Sequence, residues 1–143
     1  MPSTPAASPT PSELYRKGIR LLLADDVAGW IDLFAEDGVA EFPFAPDGYP
    51  RRVEGRDAIG AYLRGLGEHI AYEDFPYVDI HETTAPETIV VEMRGTGRVT
   101  ATGDAFDMTY IAVVTVRDGH FTHYRDYWNP LGIPDTLKEA VGA

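Results

Sequence analysis

The chain has 143 residues, no cysteine, and a formal charge of -11 from 23 acidic against 12 basic side chains. That length suits one domain that buries roughly two-thirds of its unfolded surface without a disulfide or structural metal. A surface built to follow nucleic-acid phosphates needs clustered Lys and Arg, so the acidity excludes that class, and no segment is long and apolar enough to span a bilayer.

Residues 1–12 are almost all Pro, Ser, Thr and Ala, a composition that cannot bury a core, so a disordered tail is expected there. Without a basic, then apolar, leader at the start, the expected location is cytoplasmic. One domain is expected over 13–134, followed by a C-terminal tail over 135–143. Ser12 is placed to cap a first helix running to about Ala24, with Tyr15, Ile19, Leu22 and Leu23 on one stripe. Asp26 is placed to cap a second, in which Val27, Trp30, Ile31 and Phe34 follow helical spacing.

After Asp37-Gly38 the run VAEFPFAP reads as a short strand stopped by proline, followed by a loop to Val53. Arg51, Arg52 and Arg56 gather there, but Glu54 and Asp57 are interleaved, so the cluster reads as a solvated loop. Gly55 precedes a third helix with Ile59, Tyr62, Leu63 and Leu66 inward, ending near Gly65 and Gly67. Residues 75–82, 87–99, 105–117 and 120–128 are rich in Val, Ile, Thr, Tyr and Phe, and ATGD and RDGH carry hairpin chemistry. The order predicts an α+β domain: a cone-shaped, curved antiparallel (mixed) sheet wrapped around three N-terminal helices, with a ligand-sized cavity between the layers.

The last strand holds the candidate acid. In FTHYRDYW, alternation puts Tyr124, Asp126 and Trp128 with Thr122 on one face, and Phe121, His123, Arg125 and Tyr127 on the other. Two roles fit Asp126. Packed beside Tyr124 and Trp128 it is a desolvated acid held for proton transfer; bonded to a backbone amide or an arginine it is structural. Arg94 shares a strand face with Glu92, Thr96 and Arg98, which is either a pocket wall or the solvated side of the sheet. Trp30, Phe42, Phe44, Tyr62, Tyr110, Tyr124 and Trp128 either line the cavity or simply pack. His69, just after the third helix, either faces the cavity mouth as a second proton carrier or is solvated. The four histidines lack ligand spacing, so no metal site is expected, and no Gly-rich phosphate loop or Gly-x-Ser-x-Gly nucleophile is present.

The segments LFAEDGVAEFP, VEGRDAIGAYL and VRDGHFTHYRDYWNPL resemble the SnoaL-like branch of the nuclear-transport-factor-2-like superfamily, over about residues 12–133. That resemblance implies the cone-shaped fold and a homodimer through the outer sheet face, with Phe121 and Tyr127 contributing. Against ketosteroid isomerases the catalytic positions fall on Phe42, Gly18 and Ala112, which departs from that chemistry. Against limonene-epoxide hydrolases Asp126 and Arg94 match, while the second carboxylate is replaced by Thr96. The fit is better to polyketide cyclases and phenazine-biosynthesis A/B proteins, whose single acid aligns with Asp126 and which use neither metal nor organic cofactor. The resemblance thus implies a cyclase, isomerase or dehydratase acting on a hydrophobic, carbonyl-bearing small molecule through Asp126. A non-catalytic small-molecule binding protein and an epoxide hydrolase using Arg94 with Asp126 are the alternatives.

Overall fold

A computed structural model describes residues 8–134. Of the expected tails, residues 1–7 and 135–143 lie outside the described residues, while Pro11 and Ser12 are helical. Helix α1 (Pro11–Leu23) starts two residues earlier than expected, because Thr10-Pro-Ser-Glu13 forms a reciprocal cap. The Thr10 hydroxyl accepts from the Glu13 N–H (3.2 Å) and the Glu13 carboxylate accepts from the Thr10 N–H (3.0 Å). Pro11 at the first helical position supplies a preset φ where no N–H is needed. Helix α2 (Val27–Asp32) is capped by Asp26, which accepts from the Gly29 N–H at 2.8 Å. It stops before Phe34, which opens strand β1 (Phe34–Glu41) rather than extending the helical stripe.

Strand β2 (Arg52–Glu54) lies where a loop was expected, and helix α3 (Arg56–Gly67) follows Gly55. Strands β3 (Ile70–Glu82), β4 (Thr88–Val99), β5 (Ala105–Arg117) and β6 (His120–Trp128) complete a mixed, unclosed, curved sheet in the order β2-β1-β6-β5-β4-β3. Among the described residues only β1 and β6 pair in parallel. The β5–β6 turn places Asp118 (φ 51°) and Gly119 (φ 74°) in the left-handed region, the backbone that a two-residue hairpin of matching twist demands. Arg51, Arg52 and Arg56 each meet an acid, Asp47, Glu54 with Glu41, and Glu36 respectively, so this cluster is charge-balanced.

The helices cover the concave face. Along β4 the odd-numbered residues from Ile89 to Val99 are buried, and on β5 the even-numbered ones from Phe106 to Val116. Tyr15, Trp30, Phe34, Phe121 and Tyr124 form an aromatic knot under α1 and α2, with Phe34 and Phe121 edge to face at 5.3 Å and Trp30 and Phe121 at 5.5 Å. Burying each such ring contributes roughly 1.5–3 kcal/mol from area alone. Phe121 does not lie on the outer face as strict alternation predicts. Thr115 pairs with His123 and Val116 with Phe121, so Thr122 is an extra residue, and the bulge turns both Phe121 (0% exposed) and Tyr124 inward. Among the described residues, no helix is long and apolar enough to cross a membrane.

Candidate functional site

Between the concave face and the helices lies a cavity of about 160 Å³. Asp126 lines it from β6, with Tyr124 and Trp128 two residues to either side on the same face, as alternation predicts. Across the β5–β6 pair its neighbour is Ala112, which is wholly buried and offers no polar group. The residue fronts the cavity and is only half-buried as a whole. Its Oδ1, however, is shielded from solvent and has no hydrogen-bond partner among the described residues. Burial alone pushes the Asp126 carboxyl up from the usual carboxylate range to about 7.

Among the described residues no Lys, Arg or His lines the cavity, so none of them opposes that shift; Asp25 at the α1–α2 turn is the other acid among the described residues on its wall. Arg94, expected as a catalytic partner, lies on the opposite face of β4, one residue from the cavity-lining Met93. There it makes a two-pronged bond to Asp107 on β5, Nε to Oδ1 at 2.9 Å and Nη2 to Oδ2 at 2.7 Å. The solvated-face alternative therefore holds for Arg94, and an epoxide-opening site built from Arg94 with Asp126 is not assembled.

Trp30, Phe42, Tyr62, Tyr110, Tyr124 and Trp128 all line the cavity. Phe44 does not. Strand β1 ends at Glu41, a tight turn closes with the Ala45 N–H donating to the Phe42 carbonyl (3.0 Å), and Phe44 swings out to 58% exposure against the edge of Tyr127. His69 is also absent from the lining. Its backbone closes α3 through Leu66 and joins Thr100, while the next residue, Ile70, takes the inward position.

Tyr49 and Tyr72 are lining residues that the sequence did not single out. Tyr49 sits in the loop before β2, packed against Trp128 at 5.8 Å, and its hydroxyl is shielded without a partner among the described residues. Tyr72 comes from the first part of β3, which was expected to begin only at residue 75. The signal for it was a pair of mid-strand glycines in MRGTGRV. A Cβ on Gly95 would lie 2.9 Å from the Tyr72 ring, and one on Gly97 only 2.0 Å from the Ala71 carbonyl oxygen, so only glycine lets β3 fold this closely over β4.

Two tyrosine pairs complete the polar inventory: Tyr15 with Tyr124 at 2.8 Å, and Tyr72 with Tyr110 at 2.6 Å. Burial, with a smaller contribution from the Asp126 charge, raises the phenol pKa at all four and at Tyr62, which reaches about 12. At neutral pH all five are therefore neutral hydroxyls. Among the described residues no three His, Cys, Asp or Glu side chains converge as metal ligands would.

Residues 15–124 match the SnoaL-like domain family. An uncharacterized PhzA/B-like protein of Pseudomonas aeruginosa is 42% identical over 119 residues, covering 83% of this chain and 84% of that one. The crystal structure of a "Putative Isomerase" from Bacillus subtilis has a TM-score of 0.81 at 37% identity, covering 92% of this chain and 91% of that one. A Mycobacterium tuberculosis protein crystallised with estradiol-17beta-hemisuccinate shares the fold at a TM-score of 0.70 and 20% identity, covering 83% of this chain and 93% of that one. The fold is nuclear-transport-factor-2-like. The chain belongs to the SnoaL-like domain family.

Proposed function

We propose that the protein is a cofactor-independent enzyme that moves a proton on a small, hydrophobic, carbonyl-bearing molecule, as in a cyclisation, isomerisation or dehydration, with Asp126 as the acid or base. One observation carries the reading: a carboxyl raised to about 7, with Oδ1 shielded and unpartnered, in a cavity that no cation lines among the described residues. General acid-base catalysis works best when the group titrates near the working pH, and a structural acid would have an amide or arginine partner. A lining that, among the described residues, holds acids and no base favours neutral over anionic ligands. About 160 Å³ suits a compound of one small ring, since a cavity of about 150 Å³ takes up benzene.

The test needs no knowledge of the natural substrate. Acetophenone in heavy water should exchange the protons next to its carbonyl faster with the protein than without it, followed by proton NMR. The rate should rise with pH and level off above about 7, because the ionised carboxyl is the base. Asp126→Asn should abolish the exchange while the fold is kept; unchanged exchange in that variant would sink the assignment. A binding protein without catalysis is the second reading, supported by the apolar aromatic lining and by the ligand held in the Mycobacterium tuberculosis relative. It expects acetophenone to bind equally well to Asp126→Asn and to exchange in neither protein.

The same reading includes self-association of two copies through the outer sheet face. Ile111, 46% exposed, stands opposite Tyr127 there, and Phe44 packs on Tyr127.

A further inference from the structure

Hydroxyl protons divide the two tyrosine pairs into one closed and one open. In the first, the Tyr15 hydroxyl donates to the Met93 sulfur at 3.3 Å and receives the Tyr124 proton at 2.8 Å. Two protons thus have two acceptors. In the second, Tyr72 and Tyr110 share a single 2.6 Å bond, and neither has another acceptor among the described residues. One O–H is therefore left to donate, and both residues line the cavity. Tyr110 is the more deeply buried, at 9% exposed, so the donor presented to a ligand is Tyr72 with Tyr110 behind it.

The position is built rather than incidental. Gly95 makes room for the Tyr72 ring, which Phe75 and Phe106 contact at 5.0 and 5.8 Å. A hydroxyl that itself receives a hydrogen bond is a stronger donor, and a buried donor without an acceptor is costly unless a ligand uses it. Tyr49 and Tyr62 line the cavity too, but among the described residues neither hydroxyl receives a bond from a second hydroxyl that would strengthen it as a donor.

We propose that the Tyr72–Tyr110 pair is the oxygen-binding station of the cavity, with Tyr110 donating to Tyr72 and Tyr72 donating to the ligand's carbonyl oxygen. The assignment rests on Asp126 being the base. When Asp126 takes the proton from the carbon beside the carbonyl, the C–H electron pair becomes the new C=C bond. The carbonyl π pair moves to oxygen, where the Tyr72 hydroxyl meets the developing negative charge. Reprotonation at carbon reverses the flow and regenerates the carboxylate. With no cation on the wall among the described residues, hydrogen-bond donors are the groups there that can carry that charge.

Carbonyl-labelled acetophenone bound to the protein provides the test, with its C=O stretch read by isotope-edited infrared difference spectra alongside the exchange rate. In the wild-type protein the stretch should fall below its value in an apolar solvent. Tyr72→Phe should abolish that fall and slow exchange on the order of 100-fold. Tyr110→Phe should weaken both effects partially, which keeps the test usable if one substitution disturbs folding. Asp126→Asn should keep the lowered stretch and lose the exchange. A stretch unchanged in Tyr72→Phe and in the double Phe variant, or restored only by Tyr62→Phe or Asp126→Asn, overturns the tyrosine assignment and leaves Asp126 as base intact. Exchange that slows in Tyr72→Phe but survives Asp126→Asn overturns the role of Asp126 instead. A wild-type protein that fails to bind acetophenone overturns both.

Discussion

Asp126 illustrates how the titration of a single carboxyl is set by what is withheld from it. The side chain opposite is an alanine, the flanking residues on its face are aromatic, and the arginine nearest in sequence points to the other side. The consequence for stability has a definite sign. Because the folded carboxyl titrates near 7 and the unfolded one near 3.8, the folded state holds the extra proton between those values, and stability falls as pH rises through that window. A displacement of about 3 pH units, at about 1.4 kcal/mol each, gives an upper bound of about 4 kcal/mol lost above pH 7. Asp126→Asn should therefore raise the melting temperature relative to wild type above about pH 8 and change it little near pH 4. Thermal scans at both pH values would show it; equal effects at the two would mean that the carboxyl is not desolvated.

At the scale of elements, close approaches set the cavity walls. Helix α1 crosses α2 at Gly18, where a Cβ would lie 2.3 Å from Cζ3 of Trp30, a residue that also lines the cavity. Gly18→Ala should push Trp30 toward the cavity and destabilise the fold by about 1–3 kcal/mol, measurable by urea unfolding, with weaker acetophenone binding. Gly97→Ala meets a backbone carbonyl instead of a side chain, so it has no soft partner to displace. It should cost more than Gly18→Ala and loosen β3 from β4, visible as faster amide exchange along Ile70–Tyr72. The bulge at Thr122 acts in the same way on β6, since without the extra residue Phe121 and Tyr124 could not both reach the core.

For the whole molecule, the layers have opposite characters. The concave face and the helices enclose an apolar cavity with one deep acid, while the outer face mixes ion pairs such as Arg94–Asp107 with Ile111, Tyr127 and Phe44. If two copies associate through that face, Ile111→Lys should shift sedimentation from dimer toward monomer and leave the melting transition of the monomer nearly unchanged. A monomeric wild-type protein would remove the outer face from consideration as a self-interface.

Periodicity and turn chemistry were enough to read three helices, five of the six strands among the described residues, two hairpin turns and the inward face shared by Tyr124, Asp126 and Trp128, because these depend on local spacing. The family was legible in the motifs around them. What local spacing could not resolve was set by contacts between distant segments. Phe34 left its helical stripe to pair beside Phe121, Phe44 turned outward after a tight turn, and Arg94 found Asp107 on the neighbouring strand. Tyr72 entered the cavity only because glycines on β4 let β3 close over it. The sequence alone determined the family and put Asp126 between Tyr124 and Trp128 on one strand face; the tertiary structure decided which other side chains meet it at the cavity, because bulges and close backbone approaches break the alternation on which a linear reading relies.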